Sequence, residues 1–149
     1  MHNLKLNELL TVGQNYMIRK VVQRSDTAAE YSRDLNRFLS TPAIIDMAIR
    51  ASMKTIDQYL PEDYVSIGFG IKFTHTAATS LGMNVTVKTS IISIEGHEID
   101  LSIEAWDEQG EIGHGMHRRS IMRKDDLYKT AEHRTRFLTN QRLNDLERR

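Results

Sequence analysis

The chain has 149 residues, enough for one domain with one sizeable core. Lysine plus arginine and aspartate plus glutamate number 20 each, so the formal net charge is zero and no basic excess points to nucleic acid as a partner. With no cysteine, disulfides, zinc–thiolate centres and cysteine nucleophiles are excluded; the first residues lack a secretory signal's long apolar core, no run has membrane-spanning length, and a cytoplasmic location is expected.

The first expected strand is Tyr16 to Gln23, where Met17, Ile18, Val21 and Val22 alternate poorly. Ser25-Asp26-Thr27 reads as a turn. Between Thr27 and Leu39 a short helix or an ordered loop is expected, with Ala28, Tyr31, Leu35 and Phe38 on one face. The clearest helix follows. Ser40 or Thr41 can cap it, Pro42 suits its first position, and Leu60-Pro61-Glu62-Asp63 stops it after about Tyr59. Its expected buried stripe is Ile45, Ala48, Ile49, Ser52, Met53 and Ile56.

After Asp63 the period changes to two. Strands are expected at Val65 to Thr76, Met83 to Ser93, His97 to Asp107 and Gly110 to Arg123, with turns at Glu95-Gly96 and Glu108-Gln109-Gly110. His97, Ile99, Leu101, Ile103 and Ala105 alternate with Glu98, Asp100, Ser102, Glu104 and Trp106, which gives a sheet with one apolar face. One strand, one long helix and four further strands predict an α+β domain. In it a curved antiparallel sheet, its last four strands in a meander, wraps around the helix. The whole chain, residues 1–149, reads as one domain with a core at about 16–123. The tail from Leu127 to Arg149 is helical in composition but highly charged. Leu127, Ala131, Phe137, Leu138 and Leu143 give it only a weak apolar stripe, as in a partly docked surface helix.

The strongest site signal is Thr74-His75-Thr76-Ala77-Ala78-Thr79-Ser80-Leu81-Gly82. Histidine transfers protons near neutral pH, and here it stands at a strand end among hydroxyls and small residues that leave room for a ligand. Thr41 lies where a helix start offers free N–H groups and the positive end of the dipole, able to stabilise a carbonyl oxygen or an oxyanion; capping alone would also explain it. Gly68 and Gly70 interrupt an apolar strand and mark a bulge, a close approach or simple sheet curvature. His114 and His117 are three apart and do not share a regular strand face, so no metal site with His75 is expected. Arg118 and Arg119 point opposite ways, and one of them is available to bind a phosphate or carboxylate.

Thr41, Gly68, the His75-Thr76-Ala77-Ala78-Thr79 block and the Glu111-Ile112-Gly113-His114-Gly115-Met116-His117-Arg118-Arg119 block together resemble the fluoroacetyl-CoA thioesterase type of hot-dog protein. The similarity runs from about Tyr16 to Met122. It implies a homodimeric hot-dog fold that hydrolyses acyl-CoA thioesters, with the helix crossing the sheet and the active site between subunits. Thr41 and His75 resemble the family's catalytic threonine and histidine, Gly68 its acyl-binding glycine, and Arg119 the arginine associated with its site. The resemblance implies no metal and no bound organic cofactor; coenzyme A belongs to the substrate.

One position departs from that pattern. The family's catalytic glutamate stands eight positions after its threonine, and Thr41-Pro42-Ala43-Ile44-Ile45-Asp46-Met47-Ala48-Ile49 puts isoleucine there. Isoleucine neither accepts a proton nor orients an imidazole. Asp46, three residues earlier on the helix, is the candidate substitute. The expected activity is therefore hydrolysis of an acyl thioester by water activated at His75, with Thr41 and the helix start polarising the carbonyl and Gly68, Arg119 and Asp46 lining the substrate. The alternative is a protein that binds an acyl thioester or small carboxylate with little turnover.

Overall fold

The computed structural model describes residues 4–136, 138 and 140–148. Its elements are a short helix α1 (Leu6–Leu9), strand β1 (Asn15–Val21), helix α2 (Thr41–Ile56), strands β2 (Tyr64–His75), β3 (Asn84–Glu95), β4 (Glu98–Asp107) and β5 (Gly110–Arg123), and helices α3 (Lys124–Thr135) and α4 (Asn140–Glu147). The segment between β1 and α2 is an ordered loop of three short 3-10 turns, Arg24–Asp26, Ala28–Glu30 and Arg33–Leu35. A fourth such turn, Asp57–Tyr59, extends α2.

All strand pairs are antiparallel, and the sheet order is β1-β3-β4-β5-β2. The expected four-strand meander holds only for β3-β4-β5. β2 instead pairs with β5 at the far edge, and the Thr76-to-Met83 connection crosses the sheet end rather than turning a hairpin. That connection is anchored where a hairpin would be tight: Thr79 is buried and its hydroxyl donates to Asp107 Oδ2 at 2.8 Å, while Leu39 N–H donates to Thr79 O at 2.8 Å. β2 is left as an edge strand.

The sheet closes over α2. One half of the core joins Ile44, Met47 and Ala48 of α2 to Val85, Val87, Ile103, Ala105 and Ile112. The other joins Ile56 to Leu6 and Leu10, Ile91, Ile99, Leu101 and Ile121. β4 buries Ile99, Leu101, Ile103 and Ala105 as its alternation requires; His97 lies in the preceding turn and is exposed.

The buried stripe of α2 is Ile44, Met47, Ala48, Ala51, Ser52, Thr55 and Ile56. The expected stripe thus identifies the right helix but is rotated: Ile45 and Ile49 are only half buried and Met53 is 38% exposed. Ser52 and Thr55 can face the core because each hydroxyl donates back to the helix, to Ala48 O at 2.7 Å and Ala51 O at 2.8 Å. Ile45, Ile49 and Met53, displaced by that rotation, lie on a second face that is only partly covered.

Ser40, not Thr41, caps α2: its Oγ accepts the Ala43 N–H at 3.1 Å. Thr41 is the first helical residue and Pro42 the second. Ser40→Ala is expected to lower stability by about 1 kcal/mol. That corresponds to a fall of roughly 2–4 °C in Tm for a domain of this size, measured by thermal unfolding followed by circular dichroism.

In the tail, the described residues Leu127, Ala131, Leu138 and Leu143 are at most half buried, and α3 buries no residue. Phe137 lies outside the described residues. No described helix is long and apolar enough to cross a membrane.

Candidate active site

His75 ends β2, and its position is set by how closely β2 can approach β5. Phe73 and His75 share a strand face, their ring centroids 6.4 Å apart. Opposite them in the register stand Gly115 and Gly113. A Cβ at Gly113 would collide with the Phe73 ring and the Thr74 carbonyl, and one at Gly115 with the Lys72 carbonyl. These two glycines let the His75 end of β2 lie flat against its neighbour.

The cap at Ser40 frees the Thr41 hydroxyl. Thr41 Oγ1 lies 2.8 Å from His75 Nδ1. The other ring nitrogen, Nε2, is buried and has no hydrogen-bond partner among the described residues. Burial lowers the pKa of His75 below its ordinary 6.5, opposed in part by a hydrogen bond with the Ala77 backbone. The imidazole is therefore neutral at neutral pH.

Both residues open on a cavity of about 580 Å³, whose apolar walls are Ala28, Leu35, Phe38 and Leu39 from the loop before α2 and Ala77 and Ala78 after β2. The helix start is more occupied than its sequence suggests. Pro42 has no N–H, Ala43 N–H is held by Ser40 Oγ, and Ile44 N–H reaches Ser40 O at 3.3 Å. Among the described residues, the Thr41 N–H is the one in this turn left without a partner.

Gly68 and Arg119 form a second constellation. A bulge shifts the β2–β5 register between Gly68 and Gly70. Arg119 is buried, 4% exposed. Its Nε donates to Ser66 Oγ and its Nη2 to Ser66 O, both at 2.8 Å, and its Nη1 lies 3.1 Å from His117 Nε2. His117 Nδ1 lies 2.9 Å from Gly70 O, an acceptor, so Nδ1 carries the proton and Nε2 accepts from the guanidinium. Ser66 in turn binds Asp57: its hydroxyl donates to Asp57 Oδ1, and its N–H to Asp57 Oδ2 at 3.3 Å.

Burial lowers the pKa of both His117 and Arg119. The Gly70 carbonyl opposes the shift of His117 and the Arg119 charge adds to it; the Asp57 charge opposes that of Arg119. A Cβ on Gly68 would press on Arg119 Nη1 and His117 Cε1, both at 3.0 Å, so glycine leaves these groups their space. This constellation, with Ile49, lines a separate cavity of about 610 Å³.

The structure thus brings Thr41 to His75, and Gly68 to Arg119 and Ile49, but the two cavities share no lining residue. It does not bring Asp46 to either. Asp46 is exposed and ion-paired with Arg50, one turn on, at 2.7 Å, and lines a third cavity beside Lys20 and Asp26. His114 is exposed and His117 buried; Arg118 points outward to Asp100 at 2.7 Å while Arg119 points inward. Among the described residues no three His, Asp or Glu side chains converge as a metal site.

Sequence reasoning missed Asp57 and Ser66. The available signal was the carboxylate at the C-terminal end of α2, where the helix dipole disfavours it and a compensating partner is required. Sequence reasoning placed Leu35 and Phe38 on one face with Ala28 but missed them as cavity walls, because nothing local shows that this loop folds beside His75.

Comparison with known proteins agrees with this architecture. Residues 22–125 match the family model described as FlK, the fluoroacetyl-CoA-specific thioesterase. The fluoroacetyl-CoA thioesterase of Streptantibioticus cattleyicolor is 30% identical over 105 residues, which cover 70% of this chain and 73% of that protein. Among solved structures, a hot-dog-like protein from Thermanaerovibrio acidaminovorans superposes with a TM-score of 0.85 at 31% identity, covering 92% of this chain and all (100%) of that one. The fluoroacetyl-CoA thioesterase FlK superposes with a TM-score of 0.73 at 26% identity, covering 83% of this chain and 96% of that one. With its five-stranded antiparallel sheet closed over one long helix, the chain is a hot-dog protein and belongs to the fluoroacetyl-CoA-specific thioesterase family.

Proposed function

We propose that this protein hydrolyses acyl-CoA thioesters with water activated by His75. The observation that carries the reading is the His75 ring: one nitrogen engaged by Thr41, the other buried, unpartnered and beside an open cavity. With Nδ1–H donating to Thr41 Oγ1, Nε2 is the free base. It takes a proton from water as the water oxygen attacks the thioester carbon. The Thr41 N–H and the positive end of α2 stabilise the oxyanion. Collapse breaks the C–S bond, and the imidazolium returns its proton to the leaving sulfur, giving a carboxylic acid and a thiol. With isoleucine at position 49, no acyl-glutamate forms there. Family membership supports the thioester class, and a related FlK variant has been solved in complex with acetyl-CoA.

The working unit is a homodimer joined through β2. This edge strand offers unpaired backbone and exposed apolar side chains, Phe69 at 51% and Ile71 at 40%. Antiparallel pairing with a second copy brings the His75 end of one β2 toward the Gly68 part of the other, uniting two cavities that stay apart in one protomer.

The alternative, binding with little turnover, is favoured by one observation: among the described residues no carboxylate hydrogen-bonds or ion-pairs with His75. A thiol-release panel across short, branched, aromatic and longer acyl-CoA thioesters decides between them. Release on at least one member, saturable in substrate, is expected. Folded protein that binds acyl-CoA saturably but releases no thiol across the panel establishes the alternative.

A further inference from the structure

We propose that the basic cavity beside the His75 pocket is a phosphate subsite that holds the nucleotide end of a coenzyme A thioester. This rests on the thioesterase reading and assigns it a recognition element. The cavity, about 840 Å³, is lined by Arg24, Thr27, Asn36, Arg37, Phe38 and Ser80, among others. Phe38 also lines the cavity that contains His75, so the two share a wall.

Its charge is one-sided. Arg24 and Arg37 are the charged residues on its lining, and no carboxylate lies there. Neither guanidinium has an ion-pair partner among the described residues. The nearest acid in sequence, Asp26, is turned away: Oδ1 accepts from Lys20 Nζ at 2.7 Å and Oδ2 from the Gln23 N–H at 2.9 Å. In a chain of zero net charge, two unneutralised guanidiniums on one concavity are an anion receptor, and their planar forks suit phosphate oxygens.

The cavity is also built onto the catalytic segment. Leu81 N–H donates to Arg37 O at 2.7 Å, Ala28 N–H to Phe38 O at 3.0 Å, and Phe38 bridges to Ser80. The loop that carries Arg37 is therefore laced to the connection that leaves His75. From the ring outward the surface runs from His75 and Thr41, past apolar Leu35 and Phe38, to the two arginines. A coenzyme A thioester presents its groups in that same order: acyl carbonyl, pantetheine arm, phosphates. The concavity suits this small phosphorylated ligand better than the acidic face of an acyl-carrier protein, which would need an open surface.

The test compares one acyl group on coenzyme A with the same acyl group on phosphate-free pantetheine, in wild type and in Arg24→Gln/Arg37→Gln. Both side chains are exposed, so the double variant is expected to keep the wild-type Tm. Its KM for acyl-CoA is expected to rise at least about tenfold with kcat little changed, while kcat/KM for acyl-pantetheine stays the same. Adenosine 3′,5′-bisphosphate, measured by calorimetry, is expected to bind wild type and not the double variant. Equal effects on both thioesters, no effect on either, or no nucleotide binding by wild type would overturn the subsite. A strong preference for an acyl-carrier thioester that is lost in the variant would overturn it too, in favour of a protein partner. If neither thioester is hydrolysed, the thioesterase reading fails, and the calorimetry still decides the subsite by itself.

Discussion

Replacing His75 with alanine is expected to lower kcat/KM for a hydrolysed acyl thioester by about 100- to 10,000-fold, the usual contribution of a positioned general base. Folding should survive: Nε2 makes no hydrogen bond among the described residues, so the change deletes only the ring's bonds to Thr41 and to the Ala77 backbone and relieves one buried unpaired polar atom. Stopped thiol-release assays on the purified variant, alongside its Tm, separate the two effects. A folded variant with the wild-type rate would remove His75 from the reaction.

The pH profile carries the same information with a sign. The base form of His75 exists above its folded pKa, which burial places below 6.5. In wild type the acid limb of kcat/KM is expected to be centred below pH 6.5. A limb centred above 6.5 would mean that a carboxylate, from this chain or a partner, reaches the ring. Stability follows the same direction. His75 and His117 both have lowered pKa values in the folded protein, so the unfolded chain binds more protons below pH 6.5. Their contribution is complete above 6.5 and is lost as pH drops through the folded values.

Asp57→Ala is expected to cost about 2–3 kcal/mol, although Asp57 touches neither the His75 cavity nor the main apolar core. A carboxylate at the C-terminal end of α2 opposes the helix dipole. Its compensation is the Ser66 hydroxyl and N–H, and through Ser66 the buried Arg119. Without Asp57, the guanidinium keeps its desolvation cost and loses the negative charge that offsets it. Chemical denaturation should show the loss, and Asp57→Ala/Arg119→Met should regain part of it, because the stranded charge is gone. Equal stability of the single and double variants would show that Asp57 does not serve Arg119.

The same network accounts for the conduct of Arg119. Three of its donor groups are held by Ser66 and His117, which fixes the guanidinium plane beside Gly68. If the proposed acyl site includes Arg119, a bound acyl group would meet a cation already ordered by these bonds, which lowers the ordering cost at binding.

Much of this was legible in the residues. The change of period after Asp63, the Ser40-Thr41-Pro42 start and the glycine turns are local signals, each decided by backbone sterics and by which face can be buried; all five strands lie within two residues of their expected bounds, and α2 ends three residues before its expected stop. The block around His75 was legible for a similar reason, since a titratable ring among small residues needs no distant partner to be noticed. The rotation of the α2 stripe was not. Ile45, Ile49 and Met53 are as apolar as Ile44 and Met47, and only the docked sheet decides which set is covered, with Ser52 and Thr55 accepted inside because their hydroxyls bond back to the helix.

What the sequence determined by itself is the set of elements and the residue types with chemical capacity: a helix start with a hydroxyl, a histidine at a strand end, two adjacent arginines on opposite strand faces, and an isoleucine where the resembling family carries a carboxylate. Only the tertiary structure decided which of these meet. It took the cap to Ser40 and so released Thr41 to His75. It carried β2 to the far edge of the sheet, sent Asp46 outward to Arg50, and joined Asp57 to Arg119 through Ser66. Local conformation follows from neighbouring residues, whereas these contacts join groups up to 62 positions apart (Asp57 to Arg119) and are selected by the burial of one shared core.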